Sequence, residues 1–294
     1  MGTEMERRRT LLARYRVEDG KEFRLQDHDP GDTAGLADKA TAKALLQEGV
    51  KRLTALQDML YAQDRWAVLC IFQGMDASGK DSAIRHVFRG VDPQGCQGSS
   101  FKAPSALELD HDFLWRHVLA LPGRGMIGIH NRSWYEEVLV VRVHPELLER
   151  QKLPLRLITA RIWEERLEDI AAFERYLARQ GVVVLKFFLH VSKEEQRKRF
   201  LKRIEQPEKN WKFEARDVAE RRHWDAYQAA YEAAIRATAA PHAPWFVVPA
   251  DHKWFTRLIV AGALAQALEG LDLHYPVVSE EARAALERAR VELG

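Results

Sequence analysis

Ala67-Val68-Leu69-Cys70-Ile71-Phe72-Gln73-Gly74-Met75-Asp76-Ala77-Ser78-Gly79-Lys80-Asp81 places an apolar run directly before a glycine-punctuated loop and a lysine. Ala67 to Phe72 is apolar on both alternating faces, as a central parallel strand must be, and Ile84, Val87 and Phe88 carry helical spacing beyond Lys80. Strand, loop, lysine and helix in that order read as a phosphate-binding loop. Gly74 and Gly79, the first and sixth positions, let the backbone N–H groups of the loop, Ala77 and Ser78 among them, turn toward anionic oxygens. Lys80 adds a mobile point charge and the helix adds its positive end. The competing reading is a plain strand-to-helix turn, and phosphoryl groups are the ligand expected if it fails.

Two carboxylates depart from the usual form of such a loop. Asp81 stands where Ser or Thr normally offers a hydroxyl to Mg²⁺, and Asp76 lies inside the loop. Carboxylates facing phosphates repel them unless a divalent cation lies between, so Asp76 and Asp81 imply Mg²⁺. The alternative is that Asp76 caps the following helix and Asp81 complements its dipole.

The chain has 294 residues, 46% apolar and 30% charged, which suits one α/β domain. Its 45 Lys and Arg against 43 Asp and Glu leave a formal charge of only +2, which argues against nucleic acid or a membrane surface as the partner. Cys70 and Cys96 lack the spacing of a disulfide framework or a zinc site, which fits a reducing cytoplasm. Arg7-Arg8-Arg9 opens no secretory signal, and no apolar run approaches the length needed to span a bilayer.

Outward from the loop, strand and helix alternate. Residues 1–35 are expected to form an irregular surface arm. Leu45, Leu46, Val50, Leu53, Leu56 and Leu60 mark a helix from Leu36 to about Tyr61. Ser105 and Glu108 form a capping box; Gly125 to Ile129 reads as a strand, and Val138 to Val143 as an apolar stretch ended by Pro145. Trp163, Leu167, Ile170 and Leu177 mark another helix, Val182 to Val191 the next strand, and Ser192 opens a further helix. A helix over about Asp217 to Ala239, a strand at Trp245 to Val248 and a helix from Trp254 to Leu271 follow. The pattern predicts an α/β fold with a parallel sheet covered on both faces.

A second acidic position in phosphate-loop enzymes usually follows another core strand. After Gly125 to Ile129 come His130, Asn131, Arg132, Glu136 and Glu137. Arg132 is placed to clamp a transferring phosphoryl group and Glu137 to reach metal through water; a surface ion pair satisfies the spacing equally well. Lys193 to Arg222 holds eleven basic against seven acidic residues, interrupted by Pro207, Trp211 and Phe213. Two helices and a mobile connector over about 193–225, closing over phosphates as a lid, is one reading, and a solvated helix face is the other.

Gly74 to Asp81, Asn131-Arg132-Ser133-Trp134-Tyr135-Glu136-Glu137-Val138, Lys186-Phe187-Phe188-Leu189-His190-Val191-Ser192 and Pro207-Glu208-Lys209-Asn210-Trp211-Lys212-Phe213 together resemble polyphosphate kinase family 2, from about Tyr15 to Tyr275. The aspartate after the lysine is that family's own pattern. The resemblance implies a single-domain, P-loop kinase-like three-layer sandwich with a helical lid. It also implies phosphoryl transfer between inorganic polyphosphate and AMP, ADP or ATP with Mg²⁺, in a homo-oligomer, dimer or tetramer. Carried over by position, Asp76 and Glu137 organise metal with support from Asp81, and Lys80 and Arg132 hold the transferring group with Asn131 beside it. Arg199, Lys209, Lys212 and Arg216 belong to the lid and the polyphosphate. The family more often shows Glu-Asp where this chain has Glu136-Glu137, so a water bridge to the metal is expected there. An ATP-dependent small-molecule kinase and a non-catalytic polyanion-binding module are the competing functions.

Overall fold

A computed structural model describes the backbone of residues 2–36 and 39–294 and the side chains of residues 6–36 and 44–294. In chain order the elements are α1 (Gly2–Ala13), β1 (Arg16–Val17), α2 (Lys39–Gln63), β2 (Ala67–Gln73), α3 (Lys80–Val87), β3 (Cys96–Ser100), α4 (Ala106–Leu109), α5 (Trp115–Val118) and β4 (Ile127–Asn131). There follow α6 (Val140–Val143), α7 (Ile162–Arg179), β5 (Val182–His190), α8 (Lys193–Glu205), α9 (Ala215–Glu220), α10 (Trp224–Thr238), β6 (Trp245–Pro249), α11 (Lys253–Glu269) and α12 (Glu280–Leu293).

The six strands form one sheet in the order β1-β6-β5-β2-β4-β3. Five run parallel, and only β1 is antiparallel to its neighbour, with Arg16 opposite Phe246. β2 is buried along its whole length between β4 and β5, in register Cys70 to Ile129 and Cys70 to Leu185. Strands buried on both faces need continuous apolar sequence, which explains why β2 and β5 were readable. Helix α11 packs on α1, α2, α3 and β5, while α7 packs on β5 and α10, so helices cover the sheet. All the parallel strands therefore end at one edge, and the loop at Gly74 opens there.

The expected arm is ordered for most of its length. Leu12 is buried beside Gly262, Tyr15 packs edge-on against Phe255, and the Tyr15 carbonyl accepts from Val247 N at 2.8 Å. Two residues of strand are too few to leave a periodic signal. The start of the helix expected from Leu36 falls at 37–38, outside the described residues. Two other expectations change in detail. The polar strand β3, Cys-Gln-Gly-Ser-Ser, pairs parallel to β4 at the sheet edge, where nothing demands apolar side chains. The helix expected over Asp217 to Ala239 divides into α9 and α10 around a 3₁₀ turn at Arg221–His223. Among the described residues no helix is long and apolar enough to cross a membrane.

Candidate active site

The loop leaves β2 through backbone angles that few residues adopt. Gly74 and Gly79 have φ of +153° and +107°, and a Cβ on Gly74 would stand 2.7 Å from Ser78 Oγ and 2.9 Å from the Leu189 carbonyl. Ala77, with φ +59°, takes a left-handed conformation without being glycine, a strain tolerated where backbone groups must be aimed. Lys80 Nζ folds back to donate to the carbonyls of Gly74 (2.5 Å) and Met75 (3.3 Å). Ser78 Oγ is buried with no partner, a polar atom left for something the loop holds.

Asp76 does not cap the helix: Gly79 occupies that position and no side chain bonds there. Its half-buried carboxylate lies 3.3 Å from Arg132 Nη2, while Gln196 Nε2 from α8 donates to its backbone carbonyl at 2.9 Å. Asp81 Oδ1 accepts from Asn131 Nδ2 at 2.7 Å, joining the first turn of α3 to the end of β4. Arg132 itself is left-handed (φ +69°), its N–H donates to the Phe72 carbonyl at 3.0 Å, and its guanidinium reaches Glu136 at 3.0 Å. Glu136 beside it pushes the Arg132 pKa further up. Burial, and then the Arg132 charge, draw Lys80 down to about 8 against the opposing pull of Asp76, Glu136 and Asp81. Asp76, Lys80, Asp81, Asn131 and Arg132 are thus brought together.

Glu137 is not. The chain at Trp134–Val138 is a 3₁₀ turn rather than the first turn of an α-helix, and it sends the adjacent carboxylates in different directions. Glu137 is buried against Arg166 Nη1 (2.9 Å) and Gln151 Nε2 (2.6 Å), with burial pushing its carboxyl up. A carboxylate committed to an internal ion pair is a poor metal ligand, and it is Glu136, not Glu137, that faces the loop. In the amide orientation that satisfies both ends, Gln73 donates to Glu136 Oε1 at 3.0 Å. The i,i+4 spacing of Arg132 and Glu136 was the signal available in the sequence.

Arg199, on α8 of the basic segment, is placed differently from the lysines there. It lies along the cleft, yet Nε donates to Glu195 Oε1, Nη1 to the carbonyls of Ala77 (3.0 Å) and Ser78 (2.7 Å), and Nη2 to those of Ala250 (2.5 Å) and Asp251 (3.1 Å). A guanidinium has five N–H donors, and all five are used. Arg199 therefore props the loop, with all its donors committed to the protein. Lys209, Lys212 and Arg216 do line the cleft, a cavity of about 660 Å³ that runs from the loop toward the segment after α8. Lys202 and Arg203 of the basic segment join them, and the fold adds Lys102 and Lys253, which no local pattern marks, to the same wall. Only Asp76, Asp81 and Glu214 oppose this charge along the lining. In the basic segment, Arg203 meets Asp217 at 3.3 Å and Asn210 Nδ2 bonds the carbonyls of Arg203 and Ile204, so α8, the turn Pro207–Lys212 and α9 fold as a helical hairpin.

Among the described residues no three His, Cys, Asp or Glu side chains are placed to hold a metal by themselves. Asp76 and Asp81 beside an anion-binding loop nevertheless suit Mg²⁺, which takes one or two carboxylates and fills its shell with waters and substrate phosphates.

The fold and cleft define an α/β protein that presents a polyanion site at the carboxyl edge of its parallel sheet. The family model "Polyphosphate kinase 2 (PPK2)" matches residues 36–275. An "ADP-polyphosphate phosphotransferase" of Rhodopseudomonas palustris is 51% identical over 250 residues, 85% of this chain and 86% of that one. An "AMP/ADP-polyphosphate phosphotransferase" of Meiothermus ruber is 44% identical over 266 residues, 90% and 96% of the two chains. The crystal structure of Polyphosphate Kinase 2 from Arthrobacter aurescens TC1 superposes with a TM-score of 0.86 at 40% identity, covering 95% of each chain. The chain belongs to the polyphosphate kinase 2 family.

Proposed function

We propose that this protein is a phosphate-loop kinase that moves phosphoryl groups between inorganic polyphosphate and AMP or ADP, with Mg²⁺. The observation that carries the reading is the basic cleft: a linear phosphate chain can lie along Lys209, Lys212 and Arg216 and end at the loop of Lys80 and Arg132. The names of the relatives from R. palustris and M. ruber support the same donor and acceptors.

The transfer needs little from the protein beyond position and charge. A terminal phosphate oxygen of the nucleotide, already ionised at neutral pH, attacks the end phosphorus of the chain. The new P–O bond forms as the bond to the neighbouring bridging oxygen breaks, and the chain leaves one unit shorter. No proton has to move, so no general base is required. Lys80, Arg132 and the N–H groups from Gly74 to Gly79 hold the transferring group, with Arg132 aimed by Glu136. Asp76 and Asp81 would hold Mg²⁺, which when bound would supply charge neutralisation on the phosphate oxygens, and Asn131 fixes Asp81 through its 2.7 Å hydrogen bond. The helical hairpin after β5 acts as the lid within a single domain. Cytoplasmic placement, which the free thiols Cys70 and Cys96 fit, and a homo-oligomeric assembly complete the reading.

The test is a donor and acceptor panel followed by ³¹P NMR. ADP from AMP, or ATP from ADP, is expected with polyphosphate as sole donor. Product only with ATP as donor would favour the small-molecule kinase, and turnover unchanged in Lys80→Ala would contradict the site.

A further inference from the structure

Deep in the core, far in sequence from the loop, Lys186 and Glu174 form an ion pair at 2.5 Å with side chains 0% and 1% exposed. A buried pair of this kind is weak evidence for stability, because desolvation offsets most of the attraction. Its partners suggest another purpose. Glu174 Oε1 accepts from Trp134 Nε1 (3.3 Å) and from the Tyr135 hydroxyl (2.8 Å), while Lys186 Nζ satisfies Oε2 and donates to the Thr238 carbonyl (2.8 Å). Trp134 and Tyr135 are the two residues between Ser133 and Glu136, and both are wholly buried. The Glu174 carboxylate therefore reaches both side chains that lead into the turn carrying Glu136, which in turn holds Arg132; the Tyr135 hydroxyl also lies 2.8 Å from Thr238 Oγ1 and accepts from Lys186 Nζ at 3.2 Å.

We propose that Glu174, kept in place by Lys186, is a positioning residue for phosphoryl transfer: it tethers Trp134 and Tyr135 from beneath and so sets the direction in which Glu136 aims Arg132. The inference rests on the proposed role of Arg132 but concerns residues that touch no substrate. Arg132 needs such support. It sits in a left-handed conformation at the end of β4 with its side chain 37% exposed, and its guanidinium is held only by carboxylates on neighbouring loops. A long side chain on a strained turn keeps one orientation only if the turn itself is fixed.

Two double variants separate tethering from bulk stability. Glu174→Leu with Lys186→Met leaves a neutral apolar core, an exchange that buried pairs often tolerate, but removes the acceptor of Trp134 Nε1 and leaves Tyr135 only Thr238. Glu174→Gln with Lys186→Met is equally neutral and keeps an amide oxygen for Trp134 and Tyr135. The first should fold yet lose at least tenfold in kcat, with KM for polyphosphate within about twofold because the cleft cations are untouched. The second should stay within about threefold of wild type. A readout independent of turnover is the Arg132 Nε–H resonance, expected sharp in wild type and in the Gln variant and exchange-broadened in the Leu variant. Equal kcat in the two variants, or an unchanged Arg132 signal in both, would overturn the proposal. If neither double variant folds, Tyr135→Phe decides in the same way: kcat and the Arg132 signal should change in the fully folded enzyme, and wild-type values for both would overturn it. A wild type inactive with polyphosphate would count against the functional reading alone, since the resonance still decides this one.

Discussion

Replacing Arg199 with methionine removes five donors at once while keeping most of the aliphatic stem. Four of those bonds go to main-chain carbonyls, Ala77 and Ser78 in the loop and Ala250 and Asp251 after β6. At about 1 kcal/mol for each such bond the loss is about 4 kcal/mol, and the fifth bond, to the part-exposed Glu195, adds little. For a protein of this size that corresponds to a fall in Tm of roughly 6 °C. Calorimetry on the unliganded enzyme reads this directly, and polyphosphate titration on the folded variant reads the rest. The prop should also be felt in catalysis, because the loop loses its tie to β6, so kcat falls while KM for polyphosphate changes by less than about threefold. A variant with unchanged Tm but a KM raised tenfold would refute the reasoning. It would mean that the guanidinium leaves its carbonyls and binds the phosphate chain.

Lys80 gives a pH prediction. Its pKa of about 8 lies below the ordinary lysine value, so the unfolded chain binds more protons between about pH 8 and 10.5 and apo stability gains from this group as pH rises through that window. A phosphate bound at the loop favours the ammonium, so pyrophosphate binding at pH 8.5 should take up protons and weaken above pH 8; calorimetry in two buffers of different ionisation heat measures this, and no uptake would contradict it. Asp76→Asn should lower activity at least a hundredfold and raise the Mg²⁺ needed for half-maximal rate. Glu137→Gln should instead lower Tm and leave the Mg²⁺ requirement within about twofold, since it disturbs the internal contacts with Arg166 and Gln151; the reverse pattern in a Mg²⁺ titration would assign Glu137 to the metal. Between about 50 and 200 mM salt, KM for polyphosphate should rise several-fold, more than KM for the nucleotide, because more cations touch the longer anion.

How much of this was legible in the chain follows from what each residue must satisfy locally. β2 and its loop were readable because burial on both faces demands Ala67 to Phe72 and the turn demands Gly74 and Gly79. Arg199 could not be told from its neighbours because basic residues on α8 look alike in sequence, and only the fold shows which one turns inward to the carbonyls of two loops. Glu136 and Glu137 could not be told apart for a related reason. A 3₁₀ turn rotates neighbouring side chains differently from an α-helix, and Arg166, the partner that claims Glu137, arrives from α7. Lys102 and Lys253 come to the cleft from the segment after β3 and the start of α11, and no local pattern marks such convergence. The Lys186 motif was recognisable by resemblance, but a lysine in the middle of an apolar strand acquires meaning only beside Glu174.

Phosphate beside Asp76 and Asp81 requires a cation between the loop carboxylates and the anion they would otherwise repel. Anomalous diffraction from a crystal soaked with Mn²⁺, as a stand-in for Mg²⁺, and with pyrophosphate tests it most directly. The predicted result is a metal peak within coordination distance of Asp76 or Asp81 and of a phosphate oxygen cradled by Gly74 to Lys80. A metal at Glu137, or pyrophosphate bound away from the loop, would contradict it.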